Sequence, residues 1–241
     1  MSTPQIQLKG LEIRTSERVL VSDVHVSVHE GEILALVGAS GSGKSLSARA
    51  MMGVLDVSPG LSAGELYWGA RPGVNLFANV VGRGVAAQRR LARETAPLRG
   101  HWVSYAPQAA ASALNPGRTI GMQLEMAIRR RDALPSSIPE EIRTLLDEVG
   151  LPPRVSNVLP GSLSGGMAQR AAVAVALAPA PSVLIADEPE TGLDPLLRKR
   201  MVLLLVEVAR RRNAALVLIS HHRDTVDRVA DTVVSLGGGH D

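Results

Sequence analysis

The run Gly38–Ser45, GASGSGKS, constrains what this chain can fold into more than any other stretch of it. It follows a continuously apolar segment, Ile33–Val37, of the kind that fills a parallel strand buried on both faces. An Ala- and Met-rich segment that reads as a helix from about Ser45 to Leu55 comes directly after it. Strand, Gly-rich loop and helix in that order are the setting in which G-x-x-x-x-G-K-[ST] cradles phosphate. Gly38, Gly41 and Gly43 let backbone N–H groups wrap an anion with no Cβ in the way, and Ala39, Ser40 and Ser42 complete the loop. The helix N-terminus adds positive potential. Lys44 can reach β- and γ-phosphates, the Ser45 hydroxyl can bind Mg2+, and Leu46 carries the loop into the helix. Lysine occurs only at Lys9, Lys44 and Lys199, so the match does not come from a Lys-rich composition.

A second apolar run, Val183–Ala186, ends in Asp187–Glu188–Pro189. A strand-terminal Asp can hold the shell of a Mg2+ ion, and the Glu beside it can polarise an attacking water. The stretch Leu163–Arg170, LSGGMAQR, reads as a helix start, with Ser164 as N-cap and Gly165 and Gly166 exposing backbone N–H groups. That is a second anion site on one chain, and one nucleotide does not need two separated phosphate cradles.

The rest of the chain is punctuated by short elements. Ile6, Leu8, Leu11 and Ile13, then Val24, Val26 and Val28, alternate as antiparallel strands do. Further strands are predicted over Gly60–Trp68, His101–Tyr105, Val183–Ala186, Ala215–Ser220 and Thr232–Leu236. Helices are predicted near Val85–Glu94, in short pieces through residues 106–160, and over Ser164–Leu177, Leu196–Arg212 and Arg223–Ala230. Strands alternating with helices give an α/β fold on a mainly parallel sheet.

Composition excludes several classes. A chain of 241 residues fits one large α/β domain. It has no cysteine, which removes disulfides, thiol nucleophiles, Fe–S clusters and cysteine zinc sites. With 2% aromatic residues and a net charge of +3 it offers neither stacking platforms nor a basic footprint for nucleic acid. No apolar run approaches the ~20 residues of a membrane span, and the N-terminus runs straight into strand-like sequence without a leader pattern.

Taken in chain order, these motifs resemble those of the ATP-binding cassette (ABC) ATPases, over roughly residues 5–236. The resemblance implies a P-loop NTPase core of RecA type, an N-terminal antiparallel β subdomain and an inserted α-helical signature subdomain. It implies a single nucleotide-binding domain over 1–241, with the core at about 1–105 and 178–241 and the helical part at about 106–177. Gly38–Ser45 resembles the Walker A loop, Gln108 in YAPQ the Q-loop glutamine, and Ser164, Gly165, Gly166 and Gln169 the signature. Asp187 ends the Walker B strand and Glu188 stands where the family has its general base. Asp194 resembles the D-loop aspartate, and His221 in ISHH the switch histidine that touches the γ-phosphate. The implied catalytic set is Glu188, His221 and Lys44, with ATP as nucleotide and Mg2+ held by Ser45, Gln108 and Asp187, partly through water.

In such a family the signature of one subunit faces the Walker A loop of another, so a homodimer or a heterodimer with a second ATPase is implied. SALNPGRTIGMQL at Ser112–Leu124 and LRG at Leu98–Gly100 resemble the ATPases of oligopeptide, dipeptide and nickel importers. That implies import of peptides or metal chelates through separate integral membrane permeases, indirect partnership with an extracytoplasmic substrate-binding protein, and a peripheral place on the cytoplasmic side of the membrane. Members of that group usually continue well past the final strand, whereas this sequence ends at Asp241. The alternatives are a split exporter and a regulatory cassette without transport. Three features depart from the family pattern. His222 follows the switch histidine where Asp is usual, and Glu190 stands where Ser or Thr is usual. No aromatic lies near Ile13–Ser16 to stack on adenine, which leaves Arg14 or Arg18 for that role or, alternatively, as two solvated arginines on a turn.

Overall fold

The structure is a computed structural model and describes residues 3–108 and 110–237. The chain opens with a hairpin of β1 (Ile6–Thr15) and β2 (Val19–Val28), to which β4 (Pro59–Trp68) adds on the other side of β1. All pairs are antiparallel, with Ile6 opposite both Val28 and Trp68. Ile6, Leu8, Leu11 and Ile13 all point inward, although a strict alternation breaks between Leu8 and Leu11. A bulge at that point shifts the register and returns Leu11 to the buried face.

The second sheet has the order β5–β6–β7–β3–β8 and is parallel throughout. Its strands are β3 (Ile33–Gly38), β5 (Val103–Ala106), β6 (Val183–Asp187), β7 (Ala215–Ile219) and β8 (Thr232–Leu236). Successive residues of β3 divide between two cores. Leu34 and Leu36 pack with Val183, Ile185, Val217 and Ile219 against the antiparallel sheet and against α1 (Lys44–Met51) and α2 (Gly84–Thr95). Ile33, Ala35 and Val37 pack on the other side with Leu184, Leu216 and Leu218. That second core is closed by α3 (Ile120–Ile128), α4 (Ile138–Glu148), α5 (Gly165–Leu177) and α6 (Pro195–Arg211). Burial on both faces is why the central strands read as unbroken apolar runs.

Two predicted helices end early. α1 stops at Met51, not Leu55, because Gly53 takes a left-handed φ of +67° and Val54 N donates back to Arg49 O at 2.9 Å. The Trp68 indole donates to Met51 O at 2.8 Å and satisfies a carbonyl of the last turn. α7 covers only Arg223–Val226, not Arg223–Ala230. There Val229 and Ala230 both donate to Val226 O, closing the turn. Asp231 then binds the β3 start, its carboxylate accepting from Ile33 N at 2.8 Å. The predicted strand at His101 begins two residues later, at Val103, after a turn in which Gly100 N donates to Val103 O.

Candidate nucleotide site

Every group of the site stands at the C-terminal edge of the parallel sheet, where ligands of open α/β sheets bind. β3 delivers Gly38, β6 delivers Asp187 and Glu188, β7 delivers Ser220 and His221, and β5 delivers Tyr105 and, beyond it, Gln108. An open cavity of about 680 Å3 lies there, walled by Gly38, Lys44, Glu188, His221, Arg223 and Gly237 among others.

The loop has its shape because the β1–β2 hairpin passes close beneath it. Gly43 sits at φ +90°, and a Cβ there would lie 2.6 Å from Val21 Cγ2 and 2.9 Å from Leu20 O. No other residue fits that position without moving the hairpin. The loop closes on itself through Ser42 N donating to Ala39 O at 3.2 Å, and Ser47 N takes Gly43 O at 2.8 Å to begin α1. Ser40 and Gly41 are exposed on the lip, while Leu46 is half-buried against the core below.

Lys44 is 5% exposed, and its ammonium donates to Gly38 O at 2.9 Å and Ala39 O at 2.8 Å. The charge thus spans the mouth of the loop it serves. Ser45 Oγ donates to Asp187 Oδ1 at 3.0 Å, and Tyr105 Oη donates to Asp187 Oδ2 at 2.8 Å. Both oxygens of this buried carboxylate are therefore matched by donors. Burial, followed by the bond to Asp187, pushes the Tyr105 phenol well above its ordinary range and keeps it a donor. Hydroxyl and carboxylate oxygens are hard donors, so Ser45 and Asp187 together fit Mg2+.

Glu188 follows at φ +45°, a left-handed conformation that a non-glycine residue rarely takes and that concentrates at functional sites. Its backbone N still bonds Ile219 O at 2.9 Å, so the strained residue remains anchored to β7. Its Oε2 gathers three groups: Thr191 Oγ1 donates at 3.2 Å, Gln108 Nε2 donates at 3.4 Å, and His221 Nδ1 lies 3.6 Å away. Glu188, Gln108 and His221 are thus brought together on one carboxylate oxygen. Tyr105 and Thr191 were not singled out by the sequence. A lone Tyr at a strand end and a Thr three residues after an acid form no pattern, and only the fold gives them a partner.

The signature is at the start of α5, where Ser164 caps the helix by accepting from Met167 N at 3.4 Å. A Cβ on Gly165 would touch nothing within 4 Å, so this helix end is open. Gln169 is different. Expected at the open end with the signature, it is 3% exposed, accepts from Ala111 N at 3.2 Å and donates to Pro189 O at 2.6 Å. Five residues into the helix, its position faces the core, and its amide ties α5 to the loop after Glu188. Asp194 caps α6, accepting from Leu196 N and Leu197 N at 3.1 Å each. Ser164, Gly166, Met167 and Leu197 line a groove of about 720 Å3 that shares no lining residue with the phosphate-loop cavity. Arg14 lines a separate recess beside Gly60 and Gly82, and neither it nor Arg18 is among the walls of the phosphate-loop cavity.

The chain is similar to known proteins in sequence and fold. The sequence profile of the ABC transporter family matches residues 21–191, and a shorter match to an AAA domain covers 156–227. The oligopeptide transport ATP-binding protein OppD of Lactococcus lactis is 36% identical over 222 residues, covering 91% of this chain and 62% of that protein. The nickel import ATP-binding protein NikD of Pseudomonas putida is 34% identical over 241 residues, covering 99% of this chain and 86% of that protein. Among solved structures, a dimeric ATP-binding cassette in a post-hydrolysis state with ADP and Pi superposes with a TM-score of 0.72 at 23% identity, covering 96% of this chain and 94% of that one. These matches span most of the sequence, and the chain belongs to the ABC transporter family of ATP-binding proteins.

Proposed function

We propose that this chain is the ATP-hydrolysing subunit of an ABC importer, a single nucleotide-binding domain that works as a dimer. The observation that carries the reading is the convergence on one cavity of Lys44, Glu188 and His221, with Gln108 bonded to Glu188 and Asp187 bonded to Ser45 of the adjoining loop. The loop N–H groups and the α1 N-terminus bind the β-phosphate, and Lys44 exchanges its two carbonyl partners for phosphate oxygens. Bound Mg2+ would neutralise phosphate charge at Ser45 and Asp187. Glu188, held at its carboxylate by Thr191, orients water in line with the γ-phosphate, and His221 holds that phosphate from the β7 side. Gln108 senses the site and links it to the helical residues 106–177.

Ser164, Gly165 and Gly166 present a second anion cradle, with Ser164 and Gly166 on the wall of a different cavity. One nucleotide cannot occupy both on one chain, so the signature closes over the ATP of a partner, as a homodimer or with a second cassette. In this reading separate membrane permeases carry the cargo, with this chain peripheral on their cytoplasmic side, and no helix of the described residues is long and apolar enough to cross a membrane. The names of the relatives, oligopeptide transport and nickel import, support peptides or nickel as cargo, delivered by an extracytoplasmic binding protein. The chain spans 62% of the length of the Lactococcus relative.

Phosphate release by wild type and Glu188→Gln tests the chemistry. Removing a positioned base is expected to lower turnover by about 10²–10⁴-fold while leaving ATP binding intact. Turnover within twofold of wild type would show that Glu188 is not the base.

A further inference from the structure

The two positions at which the motifs depart from the family pattern, Glu190 and His222, lie together in the fold. Glu190 sits in the loop after β6 and is 1% exposed, while His222 follows His221 at the end of β7. Buried Ser220 joins them, its hydroxyl donating to Glu190 Oε1 and accepting from His222 N at 3.0 Å. The second carboxylate oxygen, Glu190 Oε2, is buried and has no hydrogen-bond partner among the described residues. A carboxylate shielded from water with one oxygen unmatched is costly unless a cation meets it. Two imidazoles stand at that place. An oxygen of Glu190 and one ring nitrogen of each of His221 and His222 all lie within 4.8 Å of one another, and the two rings are 4.0 Å apart at 44°.

We propose that Glu190, His221 and His222 form a binding site for a divalent transition-metal ion, and that the occupied site withdraws His221 from the phosphate cavity. Two imidazoles and one carboxylate are a three-ligand set of the kind that holds zinc with a fourth position open to water. The nitrogen-rich set disfavours Mg2+, which wants oxygens, and suits zinc, cobalt or nickel. Metal–ligand bonds of ~2.0–2.2 Å bring donor atoms to about 3.5 Å from one another, a contraction that rotation of the two imidazoles supplies around the anchored Glu190.

The neighbouring cations define the competition. Arg198 Nη1 lies 3.3 Å from His222 Nε2, and Arg198 and Lys199 line the cavity of about 180 Å3 beside Glu190. A nitrogen that accepts from a guanidinium has no free lone pair, and in that neutral tautomer the other nitrogen carries the proton. Metal binding therefore releases the Arg198–His222 bond, while Arg198 keeps its bond to Leu193 O. His221 Nδ1 also lies 3.6 Å from Glu188 Oε2, so rotation of its ring toward Glu190 and His222 separates the two. The inhibitory consequence rests on the reading of His221 as the γ-phosphate contact.

Equilibrium dialysis of the full chain against Zn2+ without nucleotide tests the site, beside ATPase assays in excess Mg2+ with and without Zn2+. Wild type is expected to hold one zinc per chain, with affinity falling at least about tenfold in Glu190→Gln and in His222→Asn. Saturating zinc is expected to lower wild-type turnover at least about tenfold, reversibly on adding a zinc-selective chelator, and to spare His222→Asn. No zinc binding by wild type, or binding by both variants as tight as that of wild type, would overturn the site and place any bound zinc on other groups, such as the carboxylate-paired His25, His29 or His101. Zinc bound at the site with turnover unchanged would overturn the inhibition. Absence of turnover even without zinc would contradict the proposed function, and dialysis would still decide the site. His222 is half-buried, so its variant carries the test if Glu190→Gln does not fold.

Discussion

Asp187 shows how a single buried carboxylate is kept in place. One oxygen takes Ser45 and the other takes Tyr105, so the side chain is fixed before any ligand arrives. Tyr105→Phe keeps the packing and removes one donor, which is expected to cost about 1 kcal/mol in a urea unfolding experiment near pH 7. The pH dependence has a definite sign. Burial and the Asp187 bond raise the phenol above its ordinary value of 10.0, so above about pH 10 the unfolded chain loses a proton that folded Tyr105 retains. Stability from this group is complete at lower pH and is lost as pH rises through that limb. The slope is below about 1 kcal/mol per pH unit, since solvent screens the half-buried site. Tyr67 is raised too, through its bond to Glu65, but contributes equally to both proteins. The gap between wild type and Tyr105→Phe is therefore expected to narrow above pH 10. A gap constant from pH 7 to 11 would contradict this account of Tyr105.

Elements were legible where their pattern has one physical cause. Ile33–Val37 reads as a strand because both faces are buried, and Gly38–Ser45 reads as a phosphate loop because its Gly, Lys and Ser stand at fixed spacing between a strand and a helix. Helix ends were less legible, because they depend on partners distant in sequence. The end of α1 is set by Gly53 and by the indole of Trp68, which reaches it from β4. A Cβ at Gly53 would lie 3.0 Å from the Thr95 side chain, and its φ of +67° penalises any L residue. Gly53→Ala is expected to lower unfolding stability by about 1–2 kcal/mol, read from the urea midpoint at unchanged slope. Wild-type stability in that variant would show that Gly53 does not set the helix end. Gln169 illustrates the same limit within the site. The motif places it with the signature, but its phase on α5 turns it inward to Pro189 and Ala111.

At the scale of the whole molecule, the two glycine-rich helix starts belong to different parts. The Gly38–Ser45 loop follows β3 at the sheet edge, while Ser164–Gly166 begin α5 in the helical core. Their cavities share no lining residue, which is the observation behind the proposal that each site is completed by a partner. That division was legible in the sequence as two glycine-rich helix starts, because each start is local. The meeting of Glu190 and His222 was not, since it is made by β6 and β7 lying side by side. The most direct test of the account is the oligomeric state of Glu188→Gln by light scattering, with and without Mg-ATP. The account predicts a monomer without nucleotide and a stable dimer with it, while wild type turns ATP over and dissociates. A variant that binds ATP and stays monomeric would contradict a composite site made by two copies of this chain.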